Sequence, residues 1–138
     1  MASYALSLVP LVSEIPRLTG WIEACADEAG LEERVAFSLT LALEEAVANV
    51  IAHAFADRPP PHRIALRLDI SAESCVAQVT DNGRPFDPSA AAAPDLSLPL
   101  DERRPGGLGI HLMRQMVDRL DYRRDGDNNI LRLEKRRG

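Results

Sequence analysis

The chain has 138 residues, of which 16 are Lys or Arg and 21 are Asp or Glu, so its formal net charge is −5. With 46% hydrophobic and 27% charged residues, the composition fits one folded domain and excludes disordered, collagen-like and coiled-coil chains. A net negative chain with dispersed arginines also lacks the basic stripe that binds a phosphate backbone. We therefore expect no direct nucleic-acid partner.

Cysteine usage and apolar runs indicate the compartment. Cys25 and Cys75 have no Cys or His companions at zinc-binding spacing, so we expect two reduced, buried thiols. We find no secretory signal pattern and no apolar run approaching the roughly 18 residues of a membrane span. The expectation is a cytoplasmic protein without membrane contact.

The first part of the chain predicts one strand and two helices. Residues 4–9 alternate before Pro10, which cannot donate to a sheet ladder. Residues 13–29 carry apolar side chains every three or four positions and end at Gly30, a typical helix stop. A second helical pattern covers residues 32–55, and the proline-rich residues 58–61 end it.

The second part predicts two hairpins around a third helix. Residues 63–70 and 74–80 alternate and are joined by a short polar link. Residues 108–120 are helical, and residues 121–124 and 129–135 form a last hairpin turned by residues 125–128. The order β-α-α-β-β-α-β-β favours an α/β (α+β) two-layer sandwich in which a mixed, mostly antiparallel sheet is covered by helices on one face.

A long segment without helical or strand periodicity separates the two hairpins. Between Gly83 and Gly107 it holds five of the ten prolines. A structureless stretch of this length in a compact domain is usually functional, and lids over ligands are the common case. We predict a lid at about residues 84–106 of a single domain that spans residues 1–138.

Three polar side chains share one side of the second predicted helix. Glu45, Asn49 and His53 stand four residues apart, so they project toward similar directions. Small apolar residues surround them. Taken alone, the pattern fits either a solvated helix face or a polar site that a ligand completes.

A carboxylate and a glycine follow the strand that begins at residue 74. Asp-Asn-Gly at residues 81–83 is typical of a turn. The functional alternative is an acceptor for the exocyclic amine of adenine, because an ionised Asp81 accepts hydrogen bonds and cannot donate them. Gly83 would let the backbone approach such a ligand closely.

Glycines also open the third predicted helix. Gly106, Gly107 and Gly109 precede helical residues whose first N–H groups have no partner inside the helix, and such an end attracts anions. A flexible hinge and a phosphate cradle both fit this cluster. It is neither a P-loop nor a dinucleotide fingerprint, since it lacks the Gly-Lys-Ser/Thr sequence and the preceding strand.

In this order, the three motifs resemble the ATP-binding domain shared by histidine kinases, type II topoisomerases and heat-shock ATPases, a Bergerat-type fold. The resemblance covers roughly residues 41–133. The phrases EEAVANVIAHAF at residues 44–55 and TDNGRPFDP at residues 80–88 look most like the bacterial anti-sigma factor serine kinases.

The resemblance implies a role for each matching residue. Asn49 would supply an oxygen to Mg²⁺, Glu45 would act as general base toward a substrate serine, and Asp81 would read adenine while Gly83 lets the base pack closely. The residues expected at the phosphates are Arg104, Gly106, Gly107, Leu108 and Gly109. His53 is counted with the nucleotide-binding residues and not as a phosphoacceptor, since histidine kinases carry that histidine on a separate dimerising helix.

Two positions depart from the family pattern. Relatives often place a threonine on a late strand beside the adenine-reading Asp, whereas the matching stretch here contains Asn129, which could substitute by hydrogen bonding. Relatives also often carry an Arg immediately before the glycines. This chain has Pro105 there, preceded by Arg103 and Arg104.

The resemblance implies an ATP- and Mg²⁺-dependent serine/threonine protein kinase that binds a sigma factor. Its substrate would be an anti-sigma factor antagonist of the STAS type, and the protein would be a homodimer. Two other hypotheses stay open. One is an ATP-binding, partner-switching module without kinase activity, and the other is an ATP-hydrolysing or regulatory fragment related to histidine kinases.

Overall fold

The computed structural model describes residues 1–88 and 107–138. Its elements follow the predicted order, with a short 3₁₀ turn at Val12–Glu14 before the first helix. They are β1 (Ala2–Leu8), α1 (Ile15–Ala29), α2 (Glu33–His53), β2 (Ile64–Ile70), β3 (Ser74–Asp81), α3 (Gly107–Met116), β4 (Arg119–Asp125) and β5 (Asn128–Arg136).

The five strands form one sheet in the order β1-β2-β3-β5-β4. Each adjacent pair is antiparallel, so the sheet is antiparallel at every described pairing where we expected a mixed one. The reason lies in the connections, because both hairpins join neighbours directly and β5 lies between β3 and β4.

One face of the sheet carries the hydrophobic core. Every second side chain is buried along β2, along β3 and in β5 from Asn129 to Leu133, as expected for strands with one covered face. All three helices contribute side chains to the same core cluster. The two-layer architecture predicted from the sequence is therefore confirmed.

Helix ends follow local chemistry. Pro16 lies in the first turn of α1, where its missing N–H leaves no bond unmade. At the other end Gly30 adopts φ 67°, and its N–H bonds to the carbonyls of Ala26 and Asp27. This left-handed cap ends the helix at the predicted glycine.

The third helix is shorter than predicted. We expected residues 108–120, but α3 ends at Met116. Arg119 and Leu120 instead pair with Glu134 and Leu133 as the start of β4. Apolar residues continue at similar spacing past Met116 into β4, so the sequence pattern does not show where α3 ends. The pairing of β4 with β5 shows it.

The expectation about apolar segments needs correction. By length and composition alone α2 is apolar enough to cross a membrane, with a mean hydropathy of 1.6 over its most apolar window. Its buried side chains, including Leu39, Leu43 and Val47, belong to the core cluster. The core helix of a soluble protein passes the same test, so the finding is weak evidence for a span.

Both thiols are free and buried, as predicted. Burial raises the pKa of both the Cys25 and the Cys75 thiol. Most of the predicted lid, with Arg103, Arg104, Pro105 and Gly106, lies outside the described residues, as does the side chain of Leu108.

Candidate functional site

A polar row interrupts the inner face of the sheet at one end. The register pairs Asp81 with Asn129 and Asn129 with Arg124. Two residues earlier on β3 the inward row is apolar, with Val79 paired to Leu131. The inner face thus changes from apolar to polar near the C-terminal end of α2.

Asp81 is the last residue of β3 and is only 4% exposed. Its Oδ1 accepts hydrogen bonds from the Gly83 N–H and from Nδ2 of Asn129, both at 2.9 Å. Burial raises the pKa of the Asp81 carboxyl, while these two donors and the Arg124 charge act in the opposite direction.

Gly83 lies against the backbone of Ala54, just past the end of α2. A Cβ at this position would lie 2.3 Å from the Ala54 carbonyl oxygen and 2.6 Å from the Ala54 Cβ. The next residue donates its N–H to the same Ala54 oxygen at 2.7 Å. The glycine is therefore required for the strand end to lie against the end of α2, in addition to any contact with a ligand.

Asn82 turns away from the site. Its Oδ1 accepts the Arg63 N–H at 2.7 Å, and its Nδ2 donates to the Pro61 carbonyl at 2.8 Å. The turn hypothesis for the Asp-Asn-Gly triplet therefore holds for its middle residue, while Asp81 faces inward.

Two arginines fix the segment that follows β3. Arg124 donates through Nη1 to the Gly83 carbonyl at 2.7 Å. Arg84 donates through Nε to the carbonyl of His53 at 2.9 Å, so it binds a free carbonyl at the end of α2. The His53 ring lies 5.5 Å from the ring of Phe86, which places His53 at the edge of the site.

Asn49 is the unusual residue of α2. It is 7% exposed, and its Nδ2 is buried without a hydrogen-bond partner. A buried amide without a partner is costly, and a ligand that bonds to it would remove that cost. The assignment of O and N within an amide follows from its bonding, so the unpartnered end can equally present oxygen. Asn49 therefore fits the role of a magnesium ligand.

Asn49 and Asp81 line the same cavity. Its walls also include Phe86, Tyr122 and Asn129, and its volume is about 20 Å³. This space holds about one water molecule and no purine ring. Phe86 and Pro88 form the wall that follows β3. In this conformation, a purine enters only if that wall moves.

Glu45 lies one helical turn before Asn49 and is partly exposed. It is not among the residues that line the cavity. Within residues 1–88 and 107–138, we find no group of three or more His, Cys, Asp or Glu that could hold a metal. The Asn49 amide thus fits an ion that takes one oxygen ligand from the protein and its other ligands from phosphates and water, as Mg²⁺ commonly does.

The glycine cluster is described only from Gly107 onward. Gly107 is the first residue of α3, and the inner side of this helix is buried through Ile110 and Met113. Within a helix the first N–H groups have no intrahelical partner, so the backbone of Gly107, Leu108 and Gly109 fits the predicted anion-binding role.

Sequence reasoning missed several partners of Asn129, the residue that donates to Asp81. Tyr122, Arg124 and Phe86 all donate to Asn129 and were not predicted as site residues. The signal was present in the alternation of β5, which places Asn129 on the same side as Leu131 and Leu133. Placing Arg124 required the register between β4 and β5.

Comparison with known proteins identifies the family. The model of the histidine kinase-like ATPase domain matches residues 9–135. The chain belongs to this family. A curated relative, the serine/threonine-protein kinase BtrW of Bordetella bronchiseptica, is 37% identical over 113 residues, which are 80% of this chain and 78% of the relative. The resemblance to the anti-sigma factor serine kinases is confirmed.

Solved structures share the fold. The RsbU and RsbW domains of Rv1364c from Mycobacterium tuberculosis align with a TM-score of 0.70 at 13% identity, covering 99% of this chain and 32% of that one. The histidine kinase domain of a blue-light activated kinase from Erythrobacter litoralis EL346 aligns at 0.59 and 21% identity, covering 93% and 61%. The chain thus spans a third to three fifths of these structures.

Proposed function

We propose that this chain is an ATP-dependent serine/threonine protein kinase that binds a sigma factor and phosphorylates an anti-sigma factor antagonist. The observation that carries the proposal is the buried, unpartnered Asn49 amide in the same cavity wall as the Asp81 carboxyl. The similarity to BtrW, a serine/threonine-protein kinase, supports the reaction class.

Asp81 is the residue that recognises the base. Its Oδ1 already receives two hydrogen bonds, so Oδ2 is the oxygen assigned to the N6 amine of adenine. Entry of the base displaces the side chains of Phe86 and Pro88 from the cavity. Gly83 keeps this end of β3 close to α2.

Asn49 and the start of α3 hold the charged part of ATP. Asn49 supplies its amide oxygen to Mg²⁺, which when bound neutralises charge on the phosphate oxygens. The N–H groups at the start of α3 donate to those oxygens. For Gly106 and Arg104, which lie outside the described residues, a role at the phosphates is proposed from the family resemblance alone. The site therefore holds both the base and the phosphates of one nucleotide.

Glu45 acts as the general base. Its carboxylate takes the proton from the substrate serine hydroxyl, the serine oxygen forms a bond to the γ-phosphorus, and the bond to the β–γ bridging oxygen breaks. The products are phosphoserine and ADP. Phosphoryl transfer depends mainly on positioning and electrostatics, so one carboxylate suffices as the protein base.

The partners follow from the family similarity. We propose a sigma factor that is released when an antagonist of the STAS type competes for this chain, and phosphorylation of the antagonist ends the competition. We further propose a homodimer in the cytoplasm. The net charge of −5 supports protein partners over nucleic acid.

The decisive experiment mixes the chain with Mg-ATP and a candidate antagonist and measures phosphoserine by mass spectrometry. We expect phosphoserine with the wild type and a rate lower by about 10²–10⁴-fold with Glu45→Gln, at unchanged ATP affinity. Glu44→Gln is the matched control, because Glu44 accepts a bond from Thr19 on α1 instead.

Each other outcome identifies a different function. ATP binding without phosphoserine would establish a partner-switching module that lacks transfer chemistry. Steady ATP hydrolysis without any partner would establish a fragment related to histidine kinases. Equal rates for the wild type and Glu45→Gln would show that another group is the base.

A further inference from the structure

Asn129 holds one fixed orientation on β5. The residue is 3% exposed, and its Oδ1 accepts from the Tyr122 hydroxyl at 2.5 Å, from Arg124 Nη1 at 3.2 Å and from the Phe86 N–H at 3.3 Å. A guanidinium and a backbone N–H can only donate. Rotating the amide by half a turn would place its NH₂ against these donors, so the chemistry around Asn129 excludes that orientation.

The other end of the amide faces two acceptors. Nδ2 donates to Oδ1 of Asp81 at 2.9 Å and to the Arg84 carbonyl at 2.7 Å. With the Gly83 N–H, Asp81 Oδ1 therefore receives two donors that cannot become acceptors. A proton on Asp81 cannot lie on Oδ1, and Oδ2 alone changes character with the protonation of the carboxyl.

We propose that Asn129 is a specificity-determining positioning residue, which makes Asp81 select 6-amino purines and reject 6-keto purines. This inference rests on the proposed function, because it concerns the same base site. An ionised Oδ2 accepts a hydrogen bond from a 6-amine. Opposite a 6-keto oxygen, Oδ2 and the keto oxygen are both acceptors, so they repel each other. A protonated Oδ2 would do the opposite and donate to the keto oxygen.

The surrounding charges support this selection. Burial favours the neutral form of Asp81, and the groups that favour the ionised form are the donors of Asn129 and Gly83 and the positive charge of Arg124. Asn129 also holds Arg124, whose Nη1 bonds to its Oδ1. Loss of the Asn129 amide therefore removes one donor that stabilises the ionised form of Asp81 and one of the bonds that hold Arg124, which keeps its bonds to the Gly83 and Gly126 carbonyls.

The test uses nucleoside diphosphates, so that affinity is measured without phosphoryl transfer. We expect wild-type protein to bind ADP at least about 100-fold more tightly than inosine diphosphate, since a buried polar site strongly rejects a mismatched group. Purine riboside diphosphate, which lacks the 6-substituent, should lie between them. Equal affinity of the wild type for ADP and inosine diphosphate would overturn the inference without any variant.

The variants distinguish a role of Asn129 in base preference from a role in folding alone. Asn129→Leu should reduce the ADP preference at least about tenfold. Asn129→Asp should reduce it further, because the oxygen that replaces Nδ2 donates nothing to Asp81 Oδ1, and a carboxylate there repels the ionised form of Asp81 on which the preference depends. Asn128→Asp is the matched control, since Asn128 is exposed at the hairpin end and should leave the preference unchanged.

The outcomes distinguish this inference from the function on which it rests. A preference that stays at the wild-type value in both Asn129 variants, with ADP still bound, would overturn the role of Asn129 alone. A wild-type protein that binds neither diphosphate would overturn the proposed function together with this inference. Circular dichroism of each variant checks that it is folded. If Asn129→Leu is unfolded, the isosteric Asn129→Asp variant carries the comparison with the wild type.

Discussion

Each end of the sheet has an arginine that donates to backbone carbonyls, but the two ends differ in how far their buried polar groups are bonded. At the end away from the cavity, Arg137 donates to the carbonyls of Ser71 and Gly30 and to the Glu32 carboxylate. At the cavity end, Arg124 donates to the carbonyl of Gly83 and to Asn129.

The difference lies in what is left unsatisfied. The Arg137 cluster joins the α1–α2 turn to the β2–β3 turn through bonds within the chain. The cavity end contains a buried carboxyl with a raised pKa and the unpartnered amide of Asn49. The Arg137 guanidinium is bonded within the chain, whereas the Asn49 amide lies unpartnered on the wall of the cavity that contains Asp81. The Tyr4 hydroxyl on β1 is also buried without a partner, but it does not line that cavity.

The largest effect that separates the two ends is expected for Asp81→Asn. The variant can present NH₂ to the adenine amine, so we expect ATP affinity to fall at least about 100-fold. The variant should be no less stable than the wild type, because burial raises the pKa of Asp81 and thus makes its charged form unfavourable in the folded state. Calorimetry and thermal unfolding at pH 7 measure the two quantities.

The sign of the stability effect follows from that pKa. A carboxyl whose pKa is raised on folding favours the folded state most below its unfolded pKa, and this contribution is lost as pH rises through the folded value. Asp81→Asn should therefore match or exceed the wild-type Tm at pH 7. A clearly lower Tm at pH 7 would show that Asp81 is mainly structural.

Gly83→Ala should damage both stability and binding. The new Cβ would lie 2.3 Å from the Ala54 carbonyl oxygen, so the end of β3 must move away from α2. We expect a loss of about 1–3 kcal/mol in the free energy of unfolding and weaker ATP binding. Denaturant unfolding and nucleotide titration measure these effects.

Gly20→Ala is the matched control for this steric argument. Gly20 lies inside α1, and a Cβ there meets nothing within 4 Å. Alanine should stabilise the helix by about 1 kcal/mol, because glycine is a poor helix former. A Gly83→Ala variant as stable as Gly20→Ala would contradict the close contact with Ala54.

Asn49→Leu should separate stability from magnesium binding. Replacing the unpartnered buried amide by an apolar side chain of similar size should leave the free energy of unfolding unchanged or raise it by about 1 kcal/mol. The variant should lose the increase in ATP affinity that magnesium gives the wild type. An unfolding free energy lower by several kcal/mol would instead show that the Asn49 amide is bonded in the free protein.

Arg137→Ala should affect stability alone. Removing its bonds to the two backbone carbonyls should cost about 1–3 kcal/mol, with ATP affinity unchanged. The Arg137 hydrogen bond lowers the pKa of Glu32. The share of the stability loss that comes from the bond to Glu32 should therefore vanish as pH falls through that lowered pKa. Arg136→Ala, at an exposed neighbour, is the control, and an equal effect of both changes would rule out the cluster.

The sequence predicts much of the fold because apolar periodicity is a local signal. The order of elements and the stop at Gly30 are confirmed. The end of α3 was wrong, because the pairing of Leu120 with Leu133 decides it. That contact joins distant parts of the chain, and residues 108–120 do not show it by themselves.

The site was predictable where a residue type carries its chemistry. The family resemblance grouped Asn49 with Asp81, and the structure places both residues on the wall of one cavity. Tyr122 and Arg124 could not be placed, because their roles depend on the register between β4 and β5. The size of the cavity was also unpredictable, since it depends on how Phe86 and Pro88 pack.

The most direct test of the central claim is a calorimetric titration of the wild-type chain with a non-hydrolysable ATP analogue, with magnesium and with a chelator. We expect saturable binding of one nucleotide per chain that weakens when magnesium is removed. Absence of binding at about 1 mM analogue under both conditions, where even weak affinity is detectable, would contradict it.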